Sequence, residues 1–214
     1  KYSPVFDSYY MKISNKNINS IIDDIPNREI YADSSDYKFN KFDGHLSLND
    51  ESYKVWIKLR GNTKQHWVYK KKSYTVRPRK GELFTEKLFY IPERRAIIGE
   101  YMINKISKFI GLEALEATFG RLYINGNYNG LYYISNGFNK DFLKMNNLPE
   151  SNIYHTDSHK TLTKNFSIDD ISIDMFISDI KDYENNFERD INYFINILKR
   201  DKSYLANNWK KHFD

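Results

Sequence analysis

Two stretches of this chain place positive charge beside backbone that can approach a ligand closely. In the first, Ile57-Lys58-Leu59-Arg60-Gly61-Asn62-Thr63, an alternating run ends in Arg-Gly-Asn-Thr. Glycine lets the main chain come near a bound group, and arginine offers a planar fork of donors that matches phosphate oxygens. An ordinary strand-to-turn junction reads the same way, because a single glycine is weak evidence. In the second, Lys70-Lys71-Lys72-Ser73-Tyr74-Thr75-Val76-Arg77, lysines enter the start of a strand, where one can contact a phosphate. Alternate strand residues share a face, so Lys70 and Lys72 cannot both point where Lys71 points. The plainer account of this run is a solvated basic edge that discourages sheet aggregation. A third stretch, Leu122 to Ile134, has the physics of a hairpin with one buried face and nothing intrinsically catalytic.

Other signals carry less. His155-Thr156-Asp157-Ser158-His159 has two imidazoles four apart, but its composition is that of a loop and no distant third ligand stands out, so no metal ligand is assigned. Asp169 and Asp170 suit a helix start, where a carboxylate meets the dipole, and Asp174 needs no metal to explain it. Asp179, Asp182 and Glu184 read as a solvated helix face. His66-Trp67-Val68-Tyr69-Lys70-Lys71-Lys72 interleaves aromatic and basic residues as single-strand nucleic-acid binders do, yet a sheet produces the same alternation. Nucleic acid is the weaker reading. No Gly-x-Ser-x-Gly elbow is present, which speaks against an α/β-hydrolase.

The elements that must position these residues follow from periodicity. Lys38 to Asn49 reads as a hairpin turning at Asp43-Gly44. Tyr53 to Arg60 alternates, with Val55, Ile57 and Leu59 on one side and Trp56, Lys58 and Arg60 on the other. Ser73 to Arg77 continues the sheet until Pro78. Glu93 to Ile110 reads as a helix between Pro92 and Gly111, with Ile98, Met102, Ile106 and Phe109 as its buried stripe. Thr118 to Ile124 and Leu131 to Ser135 are strands joined through two Asn-Gly signals. A short helix near Asn139 to Met145 and a strand at Asn152 to Thr156 come next. Helices follow over Asp169 to Lys181, over Glu184 to Lys199 (Phe187, Ile191, Phe194, Ile195 and Leu198 on one face), and over Ser203 to His212. The expected class is α+β, a sheet-rich region over 1–156 and a helical segment over 157–214.

Composition narrows the partners. The 214 residues include 33 Lys+Arg against 28 Asp+Glu, a mild excess of +5 that permits anionic ligands without requiring nucleic acid. With no Cys, disulfides, thiolate catalysis and cysteine zinc sites are excluded. No apolar run approaches the ~20 residues of a membrane span. The chain opens on Lys1 rather than Met, which is compatible with a removed leader.

Four motifs in order carry a family resemblance: Arg60-Gly61-Asn62-Thr63, Lys71-Lys72-Ser73-Tyr74, a helix ending in Gly111-Leu112, and the hairpin Tyr123 to Tyr132. The sequence resembles the CotH kinase family, over roughly 37 to 156 and more loosely to the end. That resemblance implies a kinase-like small lobe, an antiparallel sheet plus one helix, followed by the helical start of a large lobe. It implies ATP and Mg²⁺ as cofactors and a coat or surface protein as the phosphorylated partner. Carried over, Arg60, Gly61 and Asn62 would lie near the phosphates, Lys71 or Lys72 would contact them, and Glu100 would hold that lysine, with Glu93 as a lesser candidate. Two departures stand out. Asn136 occupies a position where the family often has a carboxylate, and an amide cannot help neutralise a metal. The family's catalytic acidic cluster falls near the end of this chain, with Asp214 in the place of its first member, so the expectation is a fragment without turnover. The rival reading is a non-enzymatic coat or cell-surface assembly module. The resemblance points to a spore coat or exported location, with the cytoplasm as the alternative.

Overall fold

Alternating apolar residues need a common interior, and here the interior is a barrel. The computed structural model describes residues 6–25, 39–61, 66–67, 69–81, 85–91, 97–149, 151–156, 176–178, 187–200 and 204. The chain divides into two compact units, Lys1–Gly137 and Phe138–Asp214. The first contains strands β1 (Asp7–Ile13), β2 (Phe42–Leu48), β3 (Glu51–Leu59), β4 (Tyr74–Pro78), β5 (Lys87–Tyr90), β6 (Ala117–Ile124) and β7 (Asn127–Asn136), with helices α1 (Asn15–Asp23) and α2 (Ile97–Phe109). The second contains α3 (Lys140–Met145), the paired strands β8 (Tyr154–Thr156) and β9 (Phe176–Ser178), and α4 (Phe187–Leu198).

The seven strands of the first unit close in the order β1-β2-β3-β4-β5-β7-β6. Every neighbouring pair is antiparallel except β1 and β6, which run parallel from Asp7↔Gly120 to Met11↔Ile124. This corrects the expected class: a closed mixed barrel stands where an open kinase-like small lobe was anticipated, and the strand expected at Asn152 to Thr156 pairs with β9, which lies where a helix was expected. The cause is β1. Tyr9, Met11 and Ile13 point inward and join Leu46, Val55, Ile57, Leu59, Val76, Phe89, Leu122, Tyr132 and Ile134 in one core. Each such side chain contributes about 1.5–3 kcal/mol on burial, so a strand that supplies three of them is held on both edges. Ile13 is clasped by the side chain of Asn125, whose Oδ1 accepts from its N–H at 2.9 Å and whose Nδ2 donates to its carbonyl at 2.7 Å.

Local signals are corrected in three more places. Asp43-Gly44 lies within β2, and the turn falls at Asn49-Asp50, both at positive φ. Gly44 is needed for close approach: a Cβ there would run into Ile57 and the carbonyl of Lys12 at 2.9 Å. On α2 the expected buried stripe is reversed. Ile98, Met102, Ile106 and Phe109 are exposed, Phe109 to 90%. The sheet beneath α2 is aromatic and polar, and it takes Tyr101, whose ring lies 5.4 Å from that of Phe119, and Asn104, which donates to the Tyr133 hydroxyl at 3.2 Å. Finally, Phe176–Ser178, expected in a helix, is strand β9. The turn at Asn125-Gly126, the strand β3 and helix α4, whose Ile191 and Ile195 are buried, match their expectations. Among the described residues no helix is long and apolar enough to cross a membrane.

Candidate functional site

The inward set of β3 and β4 leaves an outward set on the same strands. Cross-strand register places Trp56 opposite Arg77 and Lys58 opposite Thr75, and Arg60 donates its backbone N–H to the Ser73 carbonyl at 3.0 Å. Thr75 is in turn opposite Leu88, and Tyr90 opposite Tyr133. The outer face of β3-β4-β5-β7 therefore reads Lys58, Arg60, Thr75, Arg77, Leu88, Tyr90, Tyr133.

This face is cationic and partly dry. The Lys58 ammonium is held below the usual lysine range, first by burial and then by Arg77, Arg60 and Lys41. Arg77 is shifted down by burial and by Arg60. The carboxylate in contact is Glu86, which is buried and pairs with the Arg77 guanidinium. Arg60 lies over the Tyr90 ring, 4.8 Å from its centroid. Its Nε is buried without a hydrogen-bond partner, and so is Oγ1 of Thr75. Leaving such a group unsatisfied costs about 1–3 kcal/mol, so two on one face call for a guest that supplies acceptors.

The backbone beside Arg60 is tightly packed. Gly61 sits at φ 103, and a Cβ on it would strike the His66 ring. Its carbonyl accepts from the Trp67 indole at 3.3 Å, His66 Nδ1 lies 3.1 Å from Ser73 Oγ, and Ser73 N–H donates to the His66 carbonyl at 2.7 Å. The close approach of the His66 ring explains the glycine beside Arg60 better than ligand approach does.

Of the residues singled out from sequence, Arg60 and Glu100 come to the same face. Tyr90 and Tyr133 pack at 6.0 Å between them, and burial followed by the Glu100 carboxylate pushes the Tyr133 hydroxyl well above its ordinary range. Lys71 and Lys72 do not join them. Lys71 donates to the Leu131 carbonyl and lies over the Tyr132 ring, 4.9 Å from its centroid. Lys72 donates to the carbonyls of Trp67 at 3.1 Å and Tyr69 at 2.7 Å. Both tie the loop before β4 to its surroundings. Asn62, Glu93 and Asp214 lie outside the described residues, as do His159, Asp169, Asp170, Asp174, Asp179, Asp182, Glu184 and Trp209.

Sequence reasoning passed over Lys58, Thr75 and Arg77 as site residues. The signal was present, since Lys58 and Arg60 alternate with the core set, but only the β3-β4 register shows that Arg77 joins them.

A sequence model of the CotH kinase protein family matches residues 57–214, close to three-quarters of the chain. The chain belongs to the CotH family. No curated protein matches it. For a CotH-family protein the implied groups are a nucleotide and Mg²⁺. The outer face fits the first, with buried donors lacking acceptors among several cations. For the second, no three His, Asp or Glu side chains lie together as a metal site among the described residues.

Proposed function

We propose that this CotH-family protein binds the polyphosphate of ATP on the outer face of β3 and β4 and serves phosphoryl transfer to a hydroxyl of a coat or surface protein. The observation that carries the reading is the pair of unpartnered buried atoms, Arg60 Nε and Thr75 Oγ1, on a face that also crowds Lys58 and Arg77 together. Cations kept close at a cost to one another are relieved by an anion of several charges. Arg60 offers its planar fork to phosphate oxygens, Lys58 a point charge, and Thr75 a hydroxyl that either donates or accepts. Phosphoryl transfer relies on positioning and charge stabilisation, which suits side chains anchored on strands of a closed barrel.

A second reading is favoured by α2. Ile98, Met102, Ile103, Ile106, Phe109 and Ile110 are all exposed, which suits a coat or surface assembly module. One experiment separates the two. The full chain is titrated with ATP, with and without Mg²⁺, while its melting temperature is followed, beside the double variant Lys58→Met, Arg60→Met. A ligand that binds the native state raises Tm. A saturable rise that the double variant loses supports the nucleotide site, and transfer of labelled γ-phosphate to protein then tests the chemistry. A folded wild-type protein whose Tm ignores ATP removes the proposal and leaves the assembly reading.

A further inference from the structure

The inward side of the sheet carries a lysine that the outer site does not use. On β5 the side chains of Lys87 and Phe89 face into the barrel; Phe89 is part of the core, whereas Lys87 sits at the end where β5 begins and β7 finishes. A cavity of about 200 Å³ opens there, under α2. Its polar and charged walls include Lys87, Lys105 and Lys108, with Glu116, Asn104 and Asn136.

Lys87 lies directly across the ladder from Asn136 and donates to its Oδ1 at 2.6 Å. Among the described residues that is the one hydrogen bond of its ammonium, which leaves N–H donors for a guest. Its acceptor is an amide, which carries no charge to balance the ammonium. The carboxylate of the cavity, Glu116, is shared: it lies 3.6 Å from Lys108, acting on Lys87 only at longer range. Burial holds the Lys87 ammonium below the usual lysine range in spite of Glu116. Three lysines against one carboxylate leave the cavity positive by two charges.

We infer that this cavity at the end of the barrel binds a small oxyanion, a phosphate or a carboxylate, through Lys87 with Lys105 and Lys108. Size sets the class. Sites for drug-sized ligands run to ~300–1,000 Å³, so a whole nucleotide is too large, while an oxyanion with a water or two is accommodated. The site is separate from the polyphosphate face, because Lys87 points to the inside of the sheet and Lys58 and Arg60 to the outside.

The test uses inorganic phosphate and acetate as probes, on the full chain, with chloride held at matched ionic strength. Binding is followed by calorimetry and by Tm. The expected result is saturable binding of at least one oxyanion that Lys87→Met weakens by about ten- to a hundredfold, the loss of a hydrogen bond to a charged group. Asn136→Asp guards against a misfolded variant. It is nearly isosteric and supplies an internal carboxylate to Lys87, so it is expected to suppress anion binding while Tm holds or rises. Phosphate is also a fragment of ATP, so Arg60→Met is run in parallel and is expected to leave oxyanion binding unchanged. Binding that Arg60→Met abolishes and Lys87→Met spares would overturn the inference in favour of the outer face. Absence of saturable binding to the folded wild-type chain, or binding indifferent to both Lys87→Met and Asn136→Asp, would overturn it outright. Failure of the ATP titration alone bears only on the outer face.

Discussion

Replacing Arg60 with Met should make the ligand-free protein more stable and its complex with ATP weaker. Lys58 and Arg60 are two residues apart on one side of a strand, about 6.6 Å at the usual rise. Two like charges at that distance repel by about 0.6 kcal/mol in water and by about 2.5 kcal/mol at an effective dielectric of ~20. Removing the guanidinium also removes a buried Nε with no partner, worth about 1–3 kcal/mol. Against these stands the lost contact with the Tyr90 ring, about 0.5–2 kcal/mol, while the Met stem keeps much of the packing. The balance is a gain of about 1–3 kcal/mol, and in a chain of this size each kcal/mol moves Tm by about 2–4 °C. The measurement is Tm with and without saturating Mg-ATP. A higher Tm without ligand, together with a smaller ATP-induced rise, is the signature of a residue retained for binding at the expense of stability. A fall in Tm with an unchanged ATP response would make Arg60 a packing residue and refute the charge reasoning.

Two further outcomes follow from the same geometry. Lys71→Met with Lys72→Met should lower stability by about 1–3 kcal/mol in a urea titration, because the carbonyls of Leu131, Trp67 and Tyr69 lose their donors, while the ATP-induced rise in Tm persists. Tyr74 is buried and its hydroxyl is pushed up from 10.0 to about 12. Between those values the unfolded chain has lost the phenolic proton and the native state has kept it, so stability falls as pH rises, by about 3 kcal/mol over the window for this residue. Lys58 and Lys87, held below their usual range, act in the opposite sense as pH approaches 10.5. Comparing Tyr74→Phe with the wild type by urea titration from pH 9 to 12 isolates the tyrosine, and the variant should show the shallower alkaline decline.

Much of the local structure was legible because it depends on neighbours in sequence. Val55, Ile57 and Leu59 announce β3 by alternation, Asn125-Gly126 announces a turn by its tolerance of positive φ, and Ile191 and Ile195 announce the buried side of α4. What was not legible depends on pairing at a distance. Asp7–Ile13 carries the same alternation as β3, but nothing local says that it will be gripped on both edges, and without that grip the barrel reads as an open sheet. Helix α2 shows an apolar stripe, yet the surface that receives it is built of Phe119 and Tyr133, so Tyr101 and Asn104 turn inward instead. The family was readable from four ordered motifs, whereas the site was readable only in part. Arg60 could be named from its loop, but its companions Lys58, Thr75 and Arg77 emerge from register. Asn136 drew attention as a missing carboxylate, and its partner Lys87 lies 49 residues away in sequence.

The clasp between Ile13 and Asn125 joins residues 112 apart, and this sets an order of events during synthesis. At ~5–20 residues per second, β1 waits roughly 6–20 s for the strand that completes its second edge. Until then the strands from β1 to β5 can pair in sequence with the edges of β1 and β5 open, and the barrel closes only when the β6-β7 hairpin fills the gap between them. The family match begins inside β3, at residue 57, so the strands that wait are the ones the family pattern does not describe. A chain shortened to that pattern would present the edges of β4 and β6 to any other strand nearby, and β1, β2 and the start of β3 act as a built-in guard against such pairing.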